Sequence, residues 1–239
     1  MPSLIKWPRL ALRHGIDTRI QAAQMNDKSN EKTATIAKWA LLAIVCAYGF
    51  IYRLFPEYTS PNLAPIGGLA LFGGYLLSAR WGWLPALAVM ACSDWVLWQW
   101  KGYQPFNAPV YALFVLYALA GATLRGRLSP GSWLGRVFAS SLAFFAVTNA
   151  LVFATSSFSP QEHPGVWVME IATEQYAHPL IQYARSLPGL ATCYLYALPF
   201  FARTLAGDLM FSGLFLGLSL VIDRFRLRHA IARPSSSSF

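Results

Sequence analysis

Two aspartates stand where an apolar chain has least use for them. Asp94 lies in CSDWVLWQW and Asp208 in FFARTLAGDLMFSG, each inside a run of apolar, aromatic and small residues. A charged side chain at the centre of a membrane helix costs about 2.5–3.5 kcal/mol, so such a group faces a cavity, a partner or a pathway. Other polar side chains recur in similar settings: Asn107 ahead of APVYALF, Thr148 and Asn149 in FFAVTNALVF, and Thr204 one turn before Asp208. Carboxylates accept hydrogen bonds or hold a cation, while amides and hydroxyls both donate and accept. With Trp98 and its neighbours Trp95, Trp100 and Tyr103 as walls, these residues form a set suited to holding a small solute. The same residues also admit a structural account, as helix caps, interhelical hydrogen bonds and a belt of interfacial tryptophans.

Catalysis fits the pattern poorly. Two carboxylates can share a proton, as in aspartic proteases. Intramembrane proteases of that kind carry glycine two residues before the second aspartate and tyrosine before the first; this chain has Ala206 and Ser93 there. A serine protease of the membrane needs a serine and a histidine base within the spans. The four histidines, His14, His163, His178 and His229, all fall outside the apolar runs, and no GxSxG is present. Cys46, Cys92 and Cys193 lie in apolar segments without metal-ligand spacing, and Glu162, His163 and His178 read as a solvated loop. No enzymatic activity, cofactor or metal is expected.

The elements that must position these residues are set by composition. Of 239 residues, 56% are hydrophobic and only 12% are charged, about half the charged share of a soluble domain. Mean hydropathy is +0.41. The net charge of +9 does not point to nucleic acid, because the basic residues flank apolar runs instead of forming a patch. Five apolar runs are clear, at roughly 38–54, 64–79, 82–98, 108–124 and 137–154. Each is near the length that a spanning helix requires.

A sixth apolar region, 189–222, is too long for one span and short for two. Read as a short interfacial helix at 189–201 closed by Pro199, followed by a span at 203–222, it gives six spans with both termini cytoplasmic. Fifteen of the 19 Lys and Arg residues then lie inside; Arg53, Lys101, Arg185 and Arg203 lie outside, as the positive-inside rule requires. A seven-span path would carry RFRLRHAIAR outward and weaken that bias. The expected fold is therefore all-α, a polytopic bundle of six transmembrane helices.

Its parts are a basic N-terminal tail at 1–36, a membrane domain at 37–223 with an outer loop at 155–188, and a basic, low-complexity tail at 224–239. The first twenty residues suit either a surface-lying amphipathic helix or a disordered tail. Initiation at Met25 would leave the membrane part intact. In this orientation Asp94, Asn107, Thr148, Asn149, Thr204 and Asp208 all fall toward the outer ends of their helices, which predicts one outward-facing pocket. Arg203 marks the outer interface, where its charge reaches water; it can meet an anionic ligand or pair with Asp208, although five residues apart on a helix is poor geometry for direct pairing. Small residues mark helix contacts: Gly67, Ala70 and Gly74 on one face of the second span, and Ala43 and Ala47 on the first.

The motifs SPNLAPIGGLALFGG, SDWVL, FFAVTNALVF and GLATCYLYALPFFARTLAGDLMFSGLFLG resemble those of an uncharacterised family of bacterial six-span membrane proteins, over about residues 52–220. That family is similar, in span number and in its outward polar residues, to the substrate-binding S components of energy-coupling-factor transporters. The likeness is one of fold, which does not carry function by itself. It implies an inner-membrane protein that captures a small molecule and works with a transmembrane partner driven by ATPases, since this chain has no Walker motif. A structural or assembly role without a ligand is the alternative.

Overall fold

In the computed structural model, residues 8–55, 63–102, 106–155, 183 and 185–231 are described. Among them the chain is entirely helical, with six helices: α1 Pro8–Leu54, α2 Ile66–Trp81, α3 Leu84–Lys101, α4 Ala108–Ala122, α5 Pro130–Thr155 and α6 Leu187–Ile231. Each expected apolar run falls within or nearly on one of them. Three stretches are long and apolar enough to cross a membrane: Lys28–Leu54 in α1, Pro130–Ala154 in α5 and Leu187–Arg226 in α6. This is consistent with a membrane protein. The expected loop site of Glu162, His163 and His178, the wall residue Tyr103 and the serine-rich end of the chain lie outside the described residues.

Contacts divide the chain into two compact units, Leu42–Leu216 and a unit made of Met1–Leu41 with Gly217–Phe239. In the second of these, Lys38 Nζ lies 2.8 Å from the Asp223 carboxylate, and Ser219 is fully buried. The larger unit carries every residue expected at the site.

At the centre of the larger unit is α2. From Ile66 through Gly74 every residue is buried, so neighbours surround the helix on all sides. Its sequence, IGGLALFGGYLLSARW, permits this because glycine lets other backbones come close. A Cβ on Gly74 would collide with the Ala118 carbonyl of α4, and one on Gly121 of α4 would collide with the Leu71 carbonyl of α2. The two helices therefore meet backbone to backbone, and α2 pairs more extensively with α4 than with α3. On other sides α2 receives Gly49 of α1, whose Cβ position lies 3.4 Å from Ile66, and Phe215 of α6, whose ring centroid is 6.0 Å from that of Phe72.

Ser78 interrupts α2 with φ 76° and ψ 174°. Such a backbone is rare for any residue but glycine and strains the chain. It turns the chain so that Gly82 donates to the Ser78 carbonyl at 2.8 Å and fits against Gly74, where a side chain would collide. Ahead of this break, residues 66–77 rise about 18 Å at 1.5 Å per residue.

The expected separate helix at 189–201 is not found. Pro199 lies inside α6, which continues through it for 45 residues in all, about 68 Å. Proline withholds one backbone donor, leaving the Leu195 carbonyl without its usual helical partner. Apolar helices tolerate that loss where neighbouring groups and local adjustments satisfy the freed carbonyl. The polar ends of α1 and α6 likewise extend helices beyond their apolar runs.

Candidate functional site

The seven residues expected at one pocket are found in five places. Asp208 is 3% exposed. It lies where α2, α4, α5 and α6 converge. Tyr117 of α4 donates its hydroxyl to Asp208 Oδ2 at 2.7 Å. Ser141 Oγ of α5 lies 2.7 Å from the same oxygen and 2.9 Å from the Val137 carbonyl, its single proton serving one at a time. The other carboxylate oxygen fills the space that a side chain on Gly67 would need, which places it against the first turn of α2. One turn on, Ser212 donates to the Asp208 carbonyl, and Trp133 Nε1 donates to Ser212 Oγ at 3.0 Å. Two hydroxyls and the space left by a glycine hold the carboxylate, with no cationic side chain among its described partners. Arg203 does not pair with Asp208: it is exposed and makes no ion pair among the described residues.

Asp94 belongs to a second cluster. Arg53, at the end of α1, pairs with Asp94 Oδ1, and its Nε donates to Ser93 Oγ at 2.7 Å. Tyr111 of α4 donates to Asp94 Oδ2 at 2.7 Å. Both oxygens of Asp94 are thus engaged, and α1, α3 and α4 are tied together at one end. Expected only as an outer-interface charge, Arg53 is the partner that the aspartate needs.

Asn107 is the N-cap of α4, with its Oδ1 accepting from the Val110 N–H at 3.4 Å. That is a structural role. Trp98 is 42% exposed and meets Trp95 edge-on, centroids 5.3 Å apart. The structure does not bring it to either carboxylate.

Thr148, Asn149 and Thr204 do come together. They line a cavity of about 260 Å³ between α5 and α6, with Phe144, Phe145, Phe200 and Phe201 among its walls and Cys193 and Tyr183 at its side. The hydroxyl of Thr148 donates to the Phe144 carbonyl at 2.7 Å and that of Thr204 to the Phe200 carbonyl at 3.0 Å. Asn149 Nδ2 donates to the Phe145 carbonyl at 2.8 Å. These bonds to the preceding turn leave lone pairs on two hydroxyl oxygens and the Asn149 Oδ1. Burial, followed by its contact with Cys193, pushes the Tyr183 phenol up to about 12, so it is neutral at ordinary pH. No Lys, Arg, His, Asp or Glu is among the described lining residues.

The cavity and the Asp208 cluster share a wall. Phe144 lines the cavity and meets Tyr117 edge-on, centroids 6.3 Å apart. Thr204 stands one helical turn from Asp208. Sequence reasoning missed Tyr117, Ser141 and Tyr111, since hydroxyls scattered through apolar runs carry no spacing signal. Gly67 had been marked as a contact residue, and its neighbour proves to be a carboxylate as well as a helix.

Among the described residues, no three His, Cys, Asp or Glu side chains gather as a metal site would require. Comparison with curated proteins and with solved structures finds no match. The resemblance to a family without an assigned function holds, and over a wider stretch than its motifs alone cover. With residues 33–230 matched, the chain belongs to the family described as a family of unknown function, DUF6580.

Proposed function

We propose that this protein crosses the bacterial inner membrane six times, keeps both ends in the cytoplasm, and binds a small solute for uptake in the α5–α6 cavity. The observation that carries the reading is the cavity itself: an aromatic-walled space in which Thr148, Asn149 and Thr204, three of the expected binding residues, stand together. Its volume falls just under the roughly 300–1,000 Å³ of sites for drug-sized ligands. In this reading the two aspartates are supports. Asp208 fixes the helices that form the cavity's inner wall, and Asp94 ties α1, α3 and α4. Uptake against a gradient would require an energising partner with ATPases, as the likeness to transporter S components implies.

The test is mass spectrometry of small molecules released from the protein purified out of its own membrane, beside an Ala197→Phe variant that fills the cavity. A compound present with the parent chain and lost from the variant is the expected result. Equal recovery from both, or none from either, would end the proposal.

A second reading has an observation of its own. Both carboxylates are held by protein groups, Asp94 through both oxygens and Asp208 through Oδ2, as in a bundle that serves assembly and binds nothing. That reading expects Ala197→Phe to leave every property but packing unchanged.

A further inference from the structure

The lining of the α5–α6 cavity narrows what it can hold. The inference rests on the binding reading above and goes on to the chemical class. Acidic solutes find no Lys, Arg or His among the described lining residues. The backbone N–H groups of these helical walls are already committed to helical bonds, so an anion would lose its hydration without compensation. A cation meets aromatic faces, but no carboxylate is among those residues to balance its charge. A wholly apolar solute would leave Thr148 Oγ1, Thr204 Oγ1 and Asn149 Oδ1 covered and unpaired, which costs more than forming no bond in water. What remains is a neutral molecule with donors to give those oxygens. The walls favour a flat one: Phe145 and Phe201 lie with ring centroids 4.9 Å apart and tilted by 40°, and Phe145 meets Tyr194 edge-on at 5.5 Å. Offset and edge contacts of this kind extend readily to a further ring.

We propose that the cavity takes an uncharged heteroaromatic solute of one or two rings that donates hydrogen bonds through N–H groups to Asn149, Thr148 and Thr204. Its volume of about 260 Å³ suits that size. Asp94 and Asp208, expected to hold a cation or a donor group of the solute, have no part in it, because both are engaged elsewhere.

The test uses the full chain in phosphatidylethanolamine–phosphatidylglycerol nanodiscs, with empty nanodiscs subtracted. Four probes of one ring system are titrated by saturation-transfer NMR: indole, N-methylindole, indole-3-carboxylate and indole-3-methanamine. Indole is expected to bind about tenfold more tightly than N-methylindole, which lacks the donor, and more tightly than either charged probe. Replacing Thr204→Val together with Asn149→Leu is expected to bring indole down to the level of N-methylindole with the unfolding midpoint little changed. Equal binding of indole and N-methylindole, or preference for a charged probe, overturns the solute class and leaves the binding site standing. Binding that persists unchanged in Ala197→Phe, or no binding of any probe, overturns the site and the class together.

Discussion

At the residue scale, both aspartates answer the need of a charge within an apolar bundle, and they do so differently. Asp94 takes a cation, Arg53, with Tyr111 on its second oxygen. Asp208 takes hydroxyls from Tyr117 and Ser141. Arg53→Met should therefore leave Asp94 without its countercharge and destabilise the protein by about 2.5–3.5 kcal/mol, the scale set by an unpaired charge in a membrane helix. The double variant Arg53→Met with Asp94→Leu should recover most of that loss, since removing both partners leaves no orphan. Thermal unfolding in nanodiscs measures both, and a double variant no more stable than the single one would refute the pairing. The aspartates were legible in the sequence as oddities that need partners. Their partners were not, because Tyr111, Tyr117 and Ser141 come from helices distant in sequence and each is ordinary in its own segment.

At the element scale, the five clear apolar runs foretold α1 to α5, and the ends of α2, α3 and α4 lie within a few residues of expectation, whereas the sixth region, read as a short helix and a span, is one helix. The long helices were read less well. Hydropathy marks where a helix is apolar and says nothing of where its hydrogen bonding stops, so α1 and α6 run on into polar sequence and through Pro199. The small-residue face of α2 was read correctly as a contact, with Gly74 against Ala118 and Gly121 against Leu71. By contrast, Ala43 and Ala47 are exposed. Gly74→Ala and Gly121→Ala should each force α2 and α4 apart and cost about 1–3 kcal/mol, the usual penalty for overpacking. The pair should cost less than the sum of the singles, because the first methyl already opens the space for the second. Strict additivity in thermal unfolding would mean that the two glycines do not share one interface.

At the scale of the whole molecule, the candidate site differs most from expectation. One pocket with two aspartates becomes an aromatic cavity, with no charged side chain among its described lining residues, beside a buried carboxylate. The sequence could place polar groups at similar depths along their helices but not around the bundle, since that depends on how each helix is rotated. The proposed six crossings with both ends inside predict that reporter enzymes active only in the cytoplasm will work when fused after residue 30 and after residue 231. Opposite behaviour at the two junctions would require an odd number of crossings. The central position of α2 also has a consequence for the order of biosynthesis. This helix leaves the ribosome before the groups that its glycines accommodate have been made: Ala118 and Tyr117 come from α4, Asp208 and Phe211 from α6. Its stretch ahead of Ser78 is too short to settle as a free span. The nascent chain must therefore hold α2 in an unfinished state until nearly the last helix arrives, and a chain cut before Asp208 would keep α4 against Gly74 but leave Gly67 and Gly68 without Asp208 and Phe211.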